Sequence, residues 1–252
     1  METAPVLPWQ LAPHPVPSPK TDIHVWRANL HQPDAVRSHL WETLTEAERS
    51  RALRYRQESV QQKWIVGRGV LRSLLSQYLG TAPAAIQFEY APRGKPRLAD
   101  PTQPNLVFNV THSHELWLCA IAWDCELGID IEHQRAIDQR QDIIQRYFAP
   151  LEQVPILAAP APQQTAEFFR IWTLKEAICK ATGEGIQAFG QTTLNCQTHP
   201  IQVLHINGHP PNQSWSLHSF HPAPAYSGAI AYNKPPRPLH YWLWPPQWAT
   251  PD

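Results

Sequence analysis

Residues Leu127-Gly128-Ile129-Asp130-Ile131-Glu132 constrain this chain more than any other stretch. Apolar and polar positions alternate with the period of a β-strand. Leu127, Ile129 and Ile131 therefore share one face, and Gly128, Asp130 and Glu132 share the other. Two carboxylates on one face, a residue apart, repel each other unless a cation stands with them. A solvent-facing polar edge is the plain reading of such a strand. A magnesium site, completed by water and substrate phosphates, is the chemical one. Just upstream, Leu116–Trp123 is nearly continuous apolar sequence, the pattern of a buried strand, and Asp124-Cys125-Glu126 turns the chain between the two.

Strands are also expected at Ile23–Arg27, Ile86–Tyr90 and Leu106–Val110, the last running into Thr111-His112-Ser113-His114. Leu44–Leu79 reads as helical, with Thr45 as N-cap, Glu46 and Glu48 in the first turn and Gly80 as the stop. Its basic residues, Arg49, Arg51, Arg54, Arg56, Lys63, Arg68 and Arg72, read most simply as a solvated face. Ile143–Phe148 begins a helix that the proline-rich stretch around Val154–Pro162 interrupts. Glu167–Thr182 is the second strong helix, closed by Gly183 and Gly185. Lys63-Trp64 and Ile171-Trp172 lie at matching places in the two long helices, a weak sign of duplication.

The 252 residues, 42% of them hydrophobic, suffice for one large domain or two small ones. The formal net charge of +0 argues against nucleic acid and against an anionic membrane as partners. The start of the chain has neither a basic cluster nor a long apolar run, so a cytoplasmic protein is expected. Cys119, Cys125, Cys179 and Cys196 form no CxxC pair and read as reduced, packed residues. His114, Glu115 and His133 lack the HExxH spacing of a zinc site. The 27 prolines cluster. Residues 1–20 read as an extended arm. The C-terminal prolines, interleaved with Trp242, Trp244 and Trp248, read as a segment packed on the body but kept out of a regular ladder.

In the second helix, Phe168, Ile171, Trp172, Ile178 and Cys179 form an apolar sector with Lys175 near its middle and Glu176 on its flank. A charge aimed into an apolar face needs a partner, a ligand or a route to solvent. Glu176 and Lys180 are spaced as an ordinary i,i+4 pair. Taken together, Asp130, Glu132, Glu176, Lys175, Lys180 and the basic first helix suit a magnesium–polyphosphate site. A different magnesium-dependent phosphotransfer enzyme would explain the carboxylates equally well.

The pairing of the two motifs narrows this. Gly128-Ile129-Asp130-Ile131-Glu132, followed roughly forty residues later by Trp172-Thr173-Leu174-Lys175-Glu176-Ala177-Ile178-Cys179-Lys180, resembles the double signature of the 4′-phosphopantetheinyl transferase superfamily, G-[VI]-D-[VI]-E then W-[ST]-x-K-E-[SA]-x-x-K. Gly94-Lys95-Pro96 and Phe108-Asn109-Val110-Thr111-His112-Ser113 add to the likeness, with Thr111 where serine is commoner. Length and order resemble the larger, monomeric, surfactin-synthetase-activating (Sfp-like) type, over roughly Leu44–Gly185.

The resemblance implies an α+β fold of two similar halves related by a pseudo-twofold axis, here residues 21–115 and 116–252, with coenzyme A in the cleft between them. It implies Mg2+ (Mn2+ as an alternative) on Asp130, Glu132 and Glu176. Coenzyme A contacts fall to Lys95, Thr111, His112 and Lys180, with Arg51, Lys63 and Arg68 toward the nucleotide end. Catalysis falls to Glu176 as base and Lys175 as a stabiliser of the transferring phosphoryl group. The implied reaction moves the phosphopantetheine arm of coenzyme A onto a serine of an apo acyl, polyketide or peptidyl carrier protein. A homologue that binds without turnover is the rival reading; the intact Asp130, Glu132, Lys175 and Glu176 argue against it.

Overall fold

The computed structural model describes residues 7–99, 105–206, 208–210 and 213–245. The strands are β1 (Gln10–Leu11), β2 (Ile23–Asn29), β3 (Phe88–Tyr90), β4 (Pro96–Leu98), β5 (Leu106–Ser113), β6 (Leu116–Trp123), β7 (Leu127–His133), β8 (Thr192–Asn195), β9 (Gln202–Ile206), β10 (Ser216–Phe220), β11 (Tyr226–Tyr232) and β12 (Leu239–Leu243). The helices are α1 (Asp34–Glu42), α2 (Glu46–Ala52), α3 (Glu58–Leu79), α4 (Arg140–Tyr147), α5 (Pro150–Ala158) and α6 (Ala161–Thr182). The fold is mixed α+β.

A five-stranded sheet runs β1-β12-β2-β6-β5, and a three-stranded antiparallel sheet runs β10-β11-β7. Strand alternation sorts their side chains into layers. Trp26, Ala28, Trp117, Cys119 and Ile121 face α3, packing with Val66, Val70, Leu74 and Leu75. Ile23, Val25, Leu118 and Ala120 point the other way and meet Leu127, Ile129, Ile131, Ile230 and Tyr232. Ala229 and Ala231 face α6, beside Ile171, Leu174 and Ile178. The order is thus α3, first sheet, second sheet, α6. Each sheet carries one helix of 22 residues that ends at a left-handed glycine, Gly80 (φ 62°) or Gly183 (φ 75°).

Several expectations change. β6, which lies beyond the division expected after residue 115, pairs with both β2 and β5. The C-terminal β12 returns to β2 in parallel register, His240 opposite His24 and Trp242 opposite Trp26. The C-terminal segment therefore does join a ladder, since Pro235, Pro236 and Pro238 all precede the paired residues. Pro246 and Trp248 lie outside the described residues. The N-terminal arm is bound to the body where described. Leu7 donates its N–H to the His221 carbonyl, Trp9 Nε1 donates to the Pro222 carbonyl at 2.9 Å, and β1 pairs with β12.

The long first helix is broken in two, with a turn over residues 53–57 between α2 and α3. Thr45 caps α2 as expected, in a reciprocal capping box with Glu48. The proline-rich stretch is largely helical. Pro150 opens α5 and Pro162 sits in the first turn of α6, where an absent N–H leaves no helical bond unmade. All four cysteines are free, and Cys119, Cys179 and Cys196 are buried. No helix among the described residues is long and apolar enough to cross a membrane.

Candidate active site

β7 is the hinge of the site. Its Leu127, Ile129 and Ile131 fill the core between the sheets, and its other face presses against α6 rather than solvent. Gly128 permits this contact. A Cβ there would collide with the Ala177 carbonyl oxygen and the Ala181 nitrogen of α6. One strand edge of β7 pairs with β11. Along the other, β5 supplies side chains in place of a backbone ladder. Asn109 Oδ1 accepts from the Ile129 N–H at 2.9 Å, and Ser113 Oγ accepts from the His133 N–H at 3.0 Å. Between them Thr111 Oγ1 donates to Asp130 Oδ1 at 3.1 Å.

The two signature motifs meet here. Lys180, on α6, reaches back to β7 and donates to Asp130 Oδ1 at 2.6 Å and to Thr111 Oγ1 at 3.0 Å. Asp130 is 4% exposed, and burial raises its pKa, helped by Glu132 and opposed by Lys180. Glu132 Oε2 accepts from Ser113 Oγ at 3.0 Å and from Arg135 at 3.1 Å. Glu176, one turn before Lys180, is pushed up to about 7 by burial first and then by Asp130 and Glu132, with Lys180 opposing. Desolvation, then Lys180 and Lys63, hold the His112 pKa below the ordinary value, with Glu132 opposing. Lys63 Nζ donates to the His114 carbonyl at 2.9 Å. The His114 and His133 rings stack at 4.9 Å.

Lys175 is not in this group, and the phosphoryl-stabilising role expected of it does not fit its position. Its side chain is 0% exposed, and its ammonium donates at 2.7 Å both to Glu152 Oε2 and to the Thr192 carbonyl. The rings of Phe148 and Phe189 close over it. The apolar sector in which Lys175 was placed is real, and the partner that makes the burial tolerable is Glu152. Arg68 is likewise engaged inside the first half. It pairs with Glu48, donates to Tyr90 Oη at 2.8 Å and lies over Phe88. Arg51 is exposed and lies over Trp64. Lys95 stands at the C-terminal end of α6, donating to the Ala181 carbonyl at 2.9 Å and the Leu127 carbonyl at 3.0 Å. Burial lowers its pKa to about 8.

Four residues that shape the site were not singled out from sequence. Asn109 and Ser113 lie inside the quoted Phe108–Ser113 segment, but their bonding to an unpaired strand edge is a tertiary fact. Arg135 follows Glu132 by a single helical-like offset and carries no motif. Glu152 sits in a proline-rich stretch with nothing to mark it as buried.

The donor set suits a hard divalent cation: three carboxylates, one of them with a buried oxygen, Asp130 Oδ2, that lacks a hydrogen-bond partner. Lys180 supplies one positive charge against the three. Among the described residues, however, no three His, Cys, Asp or Glu side chains converge closely enough to hold a metal.

Comparison with known proteins gives the same reading from a different direction. Residues 126–231 match the 4′-phosphopantetheinyl transferase superfamily, and residues 26–124 match the N-terminal family described as 4′-phosphopantetheinyl transferase, N-terminal. The chain is similar to 4′-phosphopantetheinyl transferase HetI of Nostoc sp., 40% identical over 166 residues that cover 66% of this chain and 70% of the relative. It is similar to 4′-phosphopantetheinyl transferase psf-1 of Bacillus pumilus, 30% identical over 76% of this chain and 80% of the relative. The 4′-phosphopantetheinyl transferase Sfp of Bacillus subtilis is 30% identical over 55% of this chain and 59% of the relative. The boundary between the two matches falls in the turn before β7, the strand that carries Asp130 and Glu132, so both halves of the likeness meet at the site, and the chain belongs to the 4′-phosphopantetheinyl transferase superfamily, in its Sfp-like type.

Proposed function

We propose that the site where β5, β7 and α6 meet transfers the 4′-phosphopantetheine arm of coenzyme A to a serine of an apo carrier protein, with a divalent cation bound. The observation that carries the reading is the meeting of Asp130 and Glu132 from β7 with Glu176 and Lys180 from α6, around the 2.6 Å contact of Lys180 with Asp130. The carrier serine oxygen forms a bond to the β-phosphorus of coenzyme A, the pyrophosphate bridge breaks, and adenosine 3′,5′-bisphosphate leaves. Asp130, Glu132 and Glu176 would hold Mg2+ (or Mn2+ in its place), which would supply charge neutralisation at the pyrophosphate.

The chain's own residues supply the rest. Glu176, which burial pushes up to about 7 in the metal-free protein, is the carboxylate that would take the serine proton, directly or through a bound water. Lys180, Thr111 and His112 face the phosphate side, with Lys63 close by. Lys95 and Arg51 are assigned to coenzyme A at more distant points. Lys175 and Arg68 take no part in this assignment, because Glu152 and Glu48 hold them. We further propose a cytoplasmic monomer with no nucleic acid or membrane partner. The carrier's pathway, whether fatty-acid, polyketide or peptide synthesis, is read from its reaction.

Intact mass of a panel of apo carrier proteins, incubated with coenzyme A, Mg2+ and this protein, tests the proposal. A gain of one phosphopantetheine arm, abolished by EDTA and by Asp130→Ala, is expected. Coenzyme A binding with no gain on any carrier would favour the binding-only homologue, and no coenzyme A binding would sink the assignment.

A further inference from the structure

Lys180 is placed where a cation is needed and where a metal would compete with it. Its ammonium touches Asp130 Oδ1 and Thr111 Oγ1. Its side chain is 29% exposed, in contrast to the wholly enclosed Lys175, so it has a path outward. Asp130 Oδ2 stays buried with no hydrogen-bond partner.

We propose that Lys180 is a resident counter-cation of the metal-free protein, and that a divalent cation must displace its ammonium from Asp130 in order to bind. This rests on the assignment of Asp130, Glu132 and Glu176 as the metal site. Like charges a few ångströms apart in a half-buried site oppose each other strongly. Lys180 therefore weakens metal binding in the free protein, and its release is part of loading.

Mn2+ titration by electron paramagnetic resonance, without coenzyme A or carrier, tests this. Lys180→Met is expected to bind Mn2+ on the order of tenfold more tightly than the unaltered protein. Lys180→Arg, which keeps the charge, is expected to stay near the unaltered value. Equal or weaker binding by a folded Lys180→Met would overturn the proposal. If that variant does not fold, the unaltered protein decides the matter through acetic anhydride labelling read by peptide mass. Lys180 is expected to label faster once Mn2+ is added, while Lys175 stays protected throughout. Unchanged or slower labelling of Lys180 would overturn the displacement. An absence of any Mn2+ binding to the unaltered protein would overturn the metal assignment and this inference with it, whereas Mn2+ binding indifferent to Lys180 would remove this inference alone.

Discussion

Lys175 and Glu152 form a wholly enclosed ion pair, Nζ to Oε2 at 2.7 Å, with both side chains 0% exposed. Glu152 also accepts from the Ala149 N–H and the Leu194 N–H, both at 2.8 Å. One carboxylate thus ties the start of α5, the middle of α6 and β8 together. Its neighbour Glu176 turns the other way, toward Asp130.

Removing one member of a buried pair leaves the other charged and unpaired. Lys175→Met should therefore cost about 3–5 kcal/mol of stability in urea unfolding. Adding Glu152→Gln should recover part of that loss, since the amide oxygen can still accept from Leu194. A Lys175→Met protein of undiminished stability but lost turnover would restore Lys175 to the catalytic group.

Glu176→Gln should lower kcat by about 10²–10⁴-fold with coenzyme A binding retained. The base must be deprotonated, so kcat/KM of the unaltered enzyme should rise as pH increases through about 7, the value to which burial and the neighbouring carboxylates push Glu176. A cation bound beside it favours the charged form and moves the midpoint lower. A Glu176→Gln enzyme that keeps the pH profile of the unaltered one would remove Glu176 as the base.

His24 gives a pH dependence away from the site. Burial lowers its pKa from 6.5 to about 4, so it is neutral at pH 7 and accepts at Nδ1 from the Tyr78 hydroxyl, 2.8 Å away. Tyr78 Oη in turn accepts from Trp26 Nε1 at 2.8 Å. Between pH 6.5 and 4 the unfolded chain takes up the proton first, so stability is present above 6.5 and falls as pH falls, by about 3 kcal/mol in full. Thermal melts should show this slope, and His24→Gln should flatten it. An unchanged slope in that variant would place the acid sensitivity elsewhere.

Gly128→Ala tests the contact of β7 with α6. The added methyl meets backbone, not a flexible side chain, so the strand or the helix must move. A loss of at least about 3 kcal/mol is expected, together with weaker coenzyme A binding as Asp130 is displaced from Lys180. Circular dichroism melts and calorimetry read both.

The alternation of Leu127–Glu132, the helix that carries Trp172–Lys180 and the stops at Gly80 and Gly183 were all legible locally, because strand and helix periods assign faces within one element. So was the presence of two paired motifs, which carry Asp130, Glu132, Glu176 and Lys180. The helical character of the proline-rich stretch was missed because Pro150 and Pro162 fall in first turns, where a proline costs no hydrogen bond, and because packing tolerates Pro155 inside α5. β12 was missed as a strand because its partner, β2, lies at the far end of the chain. Sequence by itself determined which faces are apolar, where the helices stop and which acids share a side. Only the tertiary structure decided that Glu152 meets Lys175, that Lys180 meets Asp130, and that β5 meets the open edge of β7 with Asn109, Thr111 and Ser113. Those pairings join residues 19 to 50 positions apart, and no local period reports which buried charge will find which partner.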